Sequence, residues 1–247
     1  MCGRYSFAPT KKQADADELR RRDQPTAWKI SFNIAPTHQA PVITNDQPNL
    51  LQAMTWGLVP HWSRDGANGG QLINARAEGI ADKPSFREPI RSRRCLVPAD
   101  SFYEWRTEPG GRKLPYRILL SNNDLLMMAG IWDEWRQGDE VKRTFSIITT
   151  APNREMAELH NRMPLFFEKN EAQARWLAPL SEAEVAEMRH PPADGLLRMY
   201  RVSEKLNAPS SAPSAVKTLV GEKASAGKPN YDAADLHEEV ADAWRLF

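Results

Sequence analysis

LPYRILL (Leu114–Leu120), LLMMAGIW (Leu125–Trp132) and TFSIITT (Thr144–Thr150) are three short apolar runs separated by polar residues. Each has the length of a strand and is bounded by turn-forming residues, so all three read as buried β-strands. Upstream, Cys95–Pro98 is a fourth such run, and Phe102–Arg106 follows it, ending in the turn Glu108-Pro109-Gly110-Gly111. Ala40–Thr44 and Leu50–Trp56 flank Asn45-Asp46-Gln47-Pro48-Asn49, a hairpin pattern with turn-forming residues in its loop. Ser63–Gln71 is polar and Gly-rich and reads as a flexible loop.

Helical patterns are sparse before residue 150. Thr10 with Gln13 forms a capping-box pattern that opens a helix through about Arg22. Pro152–His160 reads as a helix with Pro in its first turn, followed by Asn170–Leu177 and by Ser181–Arg189, the last with a Ser181/Glu184 capping box. Strands first and helices late give an α+β class, since alternating βαβ units are missing. Beyond about Lys205 the chain turns to Pro, Ser, Ala and Lys, so 1–208 reads as one domain and 209–247 as a tail. A short amphipathic patch, Leu236–Phe247, closes the tail.

The chain has 247 residues, 41% of them hydrophobic, enough for one sizeable domain. It has no apolar run of membrane-spanning length and no signal-peptide pattern. Two Cys far apart, Cys2 and Cys95, support neither a disulfide framework nor a zinc site. A reducing cytoplasm, a monomer, no membrane contact and no metal or organic cofactor are the expectations. Net charge is +1, yet the first 118 residues carry 18 Lys/Arg against 12 Asp/Glu, with the densest cluster at Arg87, Arg91, Arg93 and Arg94. Such a cluster reads as a solvated face or as a local basic surface for nucleic acid. Cys95, in an apolar run, reads as an inert buried thiol, and Trp56, Trp132 and Trp176 as core residues.

The opening Met1-Cys2-Gly3-Arg4-Tyr5 bears most on chemistry. Cys2 is small enough for Met1 to be removed, which leaves an amine and a thiol on one residue. Their ordinary pKa values, about 7.7–8.0 and about 8.5, place both partly in nucleophilic form at neutral pH. Such a 1,2-aminothiol condenses with an aldehyde and closes to a five-membered thiazolidine. An ordinary small buried residue is the other reading of Cys2.

Five further segments are dense in polar residues beside Trp, Gly and Pro: Asn33–Thr37, Trp56–Trp62, Asn74–Glu78, Ser101–Trp105 and His160–Pro164. In that order, with Cys at position 2, they resemble the SRAP family (SOS response-associated peptidase) from Cys2 to about Asn207. The Val202-Ser203 to Asn207 segment matches the family's late pattern loosely. The resemblance implies one domain of curved, mainly antiparallel, barrel-like sheets with peripheral helices. It also implies a shield for abasic sites in single-stranded DNA, crosslinked covalently through Cys2.

Each residue also has a reading of its own. Glu104, among Phe102, Tyr103 and Trp105, is either an edge-strand surface Glu or a desolvated acid/base; the resemblance makes it the proton shuttle. His160, at the end of a helix pattern, reads as a cap on the helix dipole; the resemblance assigns it to the sugar oxygen. Asn74 is a turn residue or an uncharged group orienting the Cys2 amine. Arg4, Arg76 and Arg162 read singly as salt-bridge partners and together as a phosphate clamp. Trp62 and Pro36 form an apolar wedge on which bases stack. His61, between Pro60 and Trp62, departs from the family pattern and reads as a loop residue. Two other functions use the same residues. One is a cysteine peptidase or N-terminal-nucleophile amidohydrolase with Cys2, His160 and Asn74; the other is a non-catalytic nucleic-acid-binding module. Weak strand-cleaving lyase chemistry would accompany the Schiff base.

Overall fold

The computed structural model describes residues 2–14, 30–67 and 70–207. Its strands are β1 Arg4–Phe7, β2 Ser31–Ile34, β3 Gln39–Thr44, β4 Gln47–Trp56, β5 Asn74–Arg76, β6 Arg94–Ala99, β7 Ser101–Thr107, β8 Lys113–Leu120, β9 Leu126–Gln137, β10 Glu140–Thr150, β11 Met163–Pro164, β12 Phe166–Phe167 and β13 Leu197–Arg201. Strands β10, β4, β3, β6 and β9 pair in that order, and β9 pairs back to β10, closing a five-stranded barrel. Pairings within it are antiparallel except β10 with β4, parallel through Thr144↔Thr55 and Phe145↔Trp56. The second sheet is antiparallel, in the order β13-β8-β7-β1-β2. The class is α+β, with barrel-like sheets and a few peripheral helices.

The apolar runs form strands because the sheets bury them on both faces. Met127, Met128, Ala129 and Ile131 of β9 are all buried, as are Leu96 and Val97 of β6. Barrel closure leaves no room at Gly130, where a Cβ would lie 2.7 Å from Cys95 Sγ, so only Gly fits there. Trp56 stacks on Phe145 at 6.5 Å and meets the edge of Tyr5 at 5.1 Å, joining barrel to second sheet. Trp56, Trp132 and Trp176 are buried, and burial pushes the Cys95 thiol well up.

Several elements differ from the sequence reading. The β3–β4 hairpin turns on Asn45-Asp46 alone, and β4 begins at Gln47. Pro48 is tolerated there because β4 meets β10 only at Thr55 and Trp56, leaving its early part with one neighbour. Strands β9 and β10 overrun their apolar cores and meet at a Gly138-Asp139 turn, with exposed polar residues on the hairpin end. The helix expected over 152–160 contracts to Arg154–Ala157, because Asn153 caps it by accepting from the Met156 N–H at 3.0 Å. Asn170–Leu177 forms as expected, and Ser181 with Glu184 makes a full capping box on Glu182–Glu187. Thr10 and Gln13 also cap reciprocally, at 2.8 and 3.3 Å, on a helix described over Lys11–Ala14. Its expected extension to Arg22, and the tail beyond 207, lie outside the described residues.

The helix Pro84–Ser92 was not expected, since two prolines and few apolar residues hide it. Pro84 stands in its first turn, where no N–H is needed. This helix changes the meaning of the basic cluster. Arg94 is buried, and its guanidinium donates to the carbonyls of Ile90, Arg91, Trp176 and Ala178. Arg93 pairs with Glu88 and Asp133, Arg91 with Glu182, and Arg87 donates to the carbonyls of Ala81 and Asp82. Arg93 and Arg94 are spent on internal contacts, while Arg87 and Arg91 stay exposed on the helix surface.

Candidate active site

The N-terminal strand β1 is set by a buried ion pair. Asp100 takes an N–H from Ala8 at 2.7 Å and the Ser6 hydroxyl at 2.5 Å, while Arg117 pairs with it at 2.7 Å. Two charges buried together are held in one geometry because moving either leaves the other unpaired. With Tyr5 opposite Phe102 and Arg4 opposite Tyr103, β1 brings Cys2 beside β7. From the barrel side, Asn74 of β5 donates its Nδ2 to the Cys2 carbonyl at 2.8 Å. Its position follows from β5 pairing with β10 through Ile147↔Asn74. The Asn74 Oδ1 is buried with no partner among the described residues, an acceptor open to an amine or a hydroxyl.

Cys2 is fully buried, and its Sγ lies 3.9 Å from the Arg4 carbonyl. Burial, and then the charge of Glu104, push the thiol far above its ordinary value. This direction belongs to Cys2 with Met1 still attached, and the free 1,2-aminothiol carries its own ammonium beside the thiol.

Glu104 is 3% exposed in β7, and burial raises its carboxyl above the ordinary range against the opposing charge of His160. The edge-strand surface reading of Glu104 is thereby replaced. His160 Nε2 stands 3.9 Å from Glu104 Oε2. His160 Nδ1 lies 3.1 Å from the Arg162 N–H and 3.3 Å from the Arg162 carbonyl, contacts that hold the ring with Nε2 facing Glu104. The two side chains line an open cleft of about 530 Å³ with Trp105, Thr107, Lys113 and Asn207. Trp105 is fixed there by its Nε1–H, which donates to Asn207 Oδ1 at 2.6 Å.

Cys2, Asn74, Glu104 and His160 thus come together from four chain segments. Arg4 is half-buried, donates to Asn33 Oδ1 at 2.8 Å and has no carboxylate partner among the described residues; burial lowers its pKa. Arg76 is exposed at the end of β5, opposite Thr149. Arg162 is engaged by Glu78 in two hydrogen bonds, at 3.0 and 2.8 Å. Trp62 is 53% exposed on a turn held by Asp133, whose Oδ2 accepts the His61 N–H at 2.9 Å and lies 3.0 Å from its Nδ1. Pro36 sits, half-buried, in the separate turn between β2 and β3. These two lie outside the hydrogen-bonded group around Cys2. The sequence reading missed Asn33, Glu78, Asp100, Trp105, Lys113 and Asn207 as site neighbours. Asn33, Glu78 and Trp105 stand inside the motif segments and were legible there; Asp100 and Lys113 carry no local signal.

Among the described residues no helix is long and apolar enough to cross a membrane. The family model described as SOS response associated peptidase (SRAP) matches residues 1–209. A Bacillus subtilis protein named abasic site processing protein YoqW is 36% identical over 220 residues, covering 85% of this chain and 96% of that one. The chicken (Gallus gallus) abasic site processing protein HMCES is 31% identical, covering 72% of this chain and 65% of its own. A solved structure from Bacteroides thetaiotaomicron superposes with a TM-score of 0.77 at 31% identity, covering 87% of this chain and 98% of that one.

Proposed function

Because the chain belongs to the SRAP family, we propose that it processes abasic sites in single-stranded DNA by forming a thiazolidine crosslink through Cys2. The observation that carries this reading is the placement of Cys2, held at its carbonyl by Asn74 at 2.8 Å, beside a buried Glu104 that faces His160.

With Met1 removed, the neutral Cys2 amine attacks the C1′ aldehyde of the ring-opened sugar. Asn74 Oδ1 orients that amine. Glu104, its pKa raised by burial, gives the proton that leaves with the carbinolamine hydroxyl as water, and its carboxylate takes the nitrogen proton back to leave an imine. The His160 Nε2–H bonds the sugar oxygen released by ring opening. The thiol then adds across C=N: the S–C bond forms, and the thiol proton ends on the ring nitrogen. A protonated thiol suits this step, since its proton is needed on nitrogen. A cysteine peptidase would use the same Cys2 as a thiolate nucleophile, and the band-shift test below separates the two readings. β-Elimination from the imine is the lyase side reaction. Arg4 and Arg76 hold backbone phosphates, and Trp62 with Pro36 receives the flanking bases.

The test compares protein with a free Cys2 amine and protein blocked by an N-terminal tag on abasic single-stranded DNA. A heat- and denaturant-stable band shift should form only with the free amine. Equal crosslinking by the tagged protein sinks the mechanism.

A further inference from the structure

Arg162 does not present a free fork to solvent. Its Nη1 and Nη2 donate end-on to the two oxygens of Glu78, and Nη2 also donates to the Thr149 carbonyl at 2.6 Å. Its Nε is buried with no partner among the described residues, so a ligand does not reach it. Bidentate grip on a phosphate needs two parallel N–H groups, and the accessible pair is taken. The Arg162 side chain is 15% exposed and its partner 57%, so the carboxylate is the member able to leave. Gly79, which follows it, has φ 68, a left-handed conformation that lets the chain turn directly after the carboxylate. Arg162 first, then the backbone N–H groups of Glu78 and Ala151, hold the carboxyl below its usual range. An anion arriving in place of that carboxylate meets the same donors.

We propose that Glu78 is a built-in phosphate surrogate: in the strand-free protein it occupies the fork of Arg162, and a backbone phosphate must displace it. This rests on the single-strand reading above and adds the residue that restrains affinity for undamaged strands. A strand that cannot react gains Arg162 only by freeing a carboxylate beside its own phosphate. A strand captured by Cys2 is held covalently, so the restraint falls on undamaged DNA. Glu78 is thus a specificity-determining residue acting through Arg162.

The test is a salt titration of full-length wild type, Glu78→Gln, Arg162→Gln and the double variant on an undamaged single-stranded oligonucleotide. Glu78→Gln should bind roughly two- to fivefold more tightly, the scale of a partly exposed ion pair. Its log K against log salt slope should steepen by up to about 0.7, because the wild-type exchange frees a carboxylate that recruits a cation again. In the Arg162→Gln background the same change should have no effect. Unchanged or weaker binding by Glu78→Gln overturns the proposal. So does tightening that persists without Arg162, since it reports only the loss of a negative charge near DNA. Wild type is also incubated with the abasic oligonucleotide. If it yields no denaturant-stable adduct while the coupling is seen, the crosslinking reading fails and the surrogate stands.

Discussion

Replacing Glu104 by Gln keeps the shape of the most buried carboxyl in the site and removes its titrating proton. A positioned acid/base group contributes about 10²–10⁴-fold in rate. At 1.36 kcal/mol per tenfold, that is about 2.7–5.5 kcal/mol of barrier. Glu104 should lie in that span, because it is buried and His160 faces it, so bulk water cannot replace it cheaply. The assay is single-turnover adduct formation with abasic single-stranded DNA, followed on denaturing gels from pH 5 to 8. The rate should rise as the Cys2 amine loses its proton and be curbed as Glu104 loses its own, and the variant should keep the first limb and lack the second. Stability should move the other way. The folded pKa lies above the ordinary 4.5, so the fold binds more protons than the unfolded chain between those values. The stabilisation is full below the unfolded pKa and is lost as pH rises through the folded one. Glu104→Gln should therefore melt higher than wild type at pH 7 and equally at pH 4. A variant that crosslinks within threefold of wild type, with an unchanged pH profile, refutes the acid/base role.

Arg76→Ala should weaken noncovalent binding and flatten the log K against log salt slope by about 0.7 on single strands, whereas Trp62→Ala should weaken it at constant slope; a Cys2→Ala background on undamaged strands prevents thiazolidine formation, and equal slopes for both would misplace the strand. Arg94→Ala, which orphans four carbonyls, should cost about 3 kcal/mol in chemical denaturation while leaving strand affinity unchanged in the folded protein.

The barrel strands were legible because burial on both faces makes them continuous apolar runs, as in Met127–Ile131 and Cys95–Val97. What was not legible is whatever depends on partners distant in sequence. Arg94 read as part of a basic surface because its carbonyl acceptors at Trp176 and Ala178 lie over 80 residues away. The helix Pro84–Ser92 escaped because its helical signal is carried by few buried residues, Phe86, Pro89 and Ile90. In the site, residue type alone left Cys2, Asn74, Glu104 and His160 open, and the family resemblance of their motifs singled them out. The burial of Cys2 was not legible, because it arises where two sheets meet.

The most direct measurement counts free thiols in the adduct. The chain has two cysteines, Cys2 and Cys95. Free protein, denatured and treated with iodoacetamide, should take two labels by intact mass. The adduct with abasic single-stranded DNA should take one, at Cys95, because a thiazolidine consumes the Cys2 sulfur. An adduct labelled at both cysteines would contradict ring closure on Cys2.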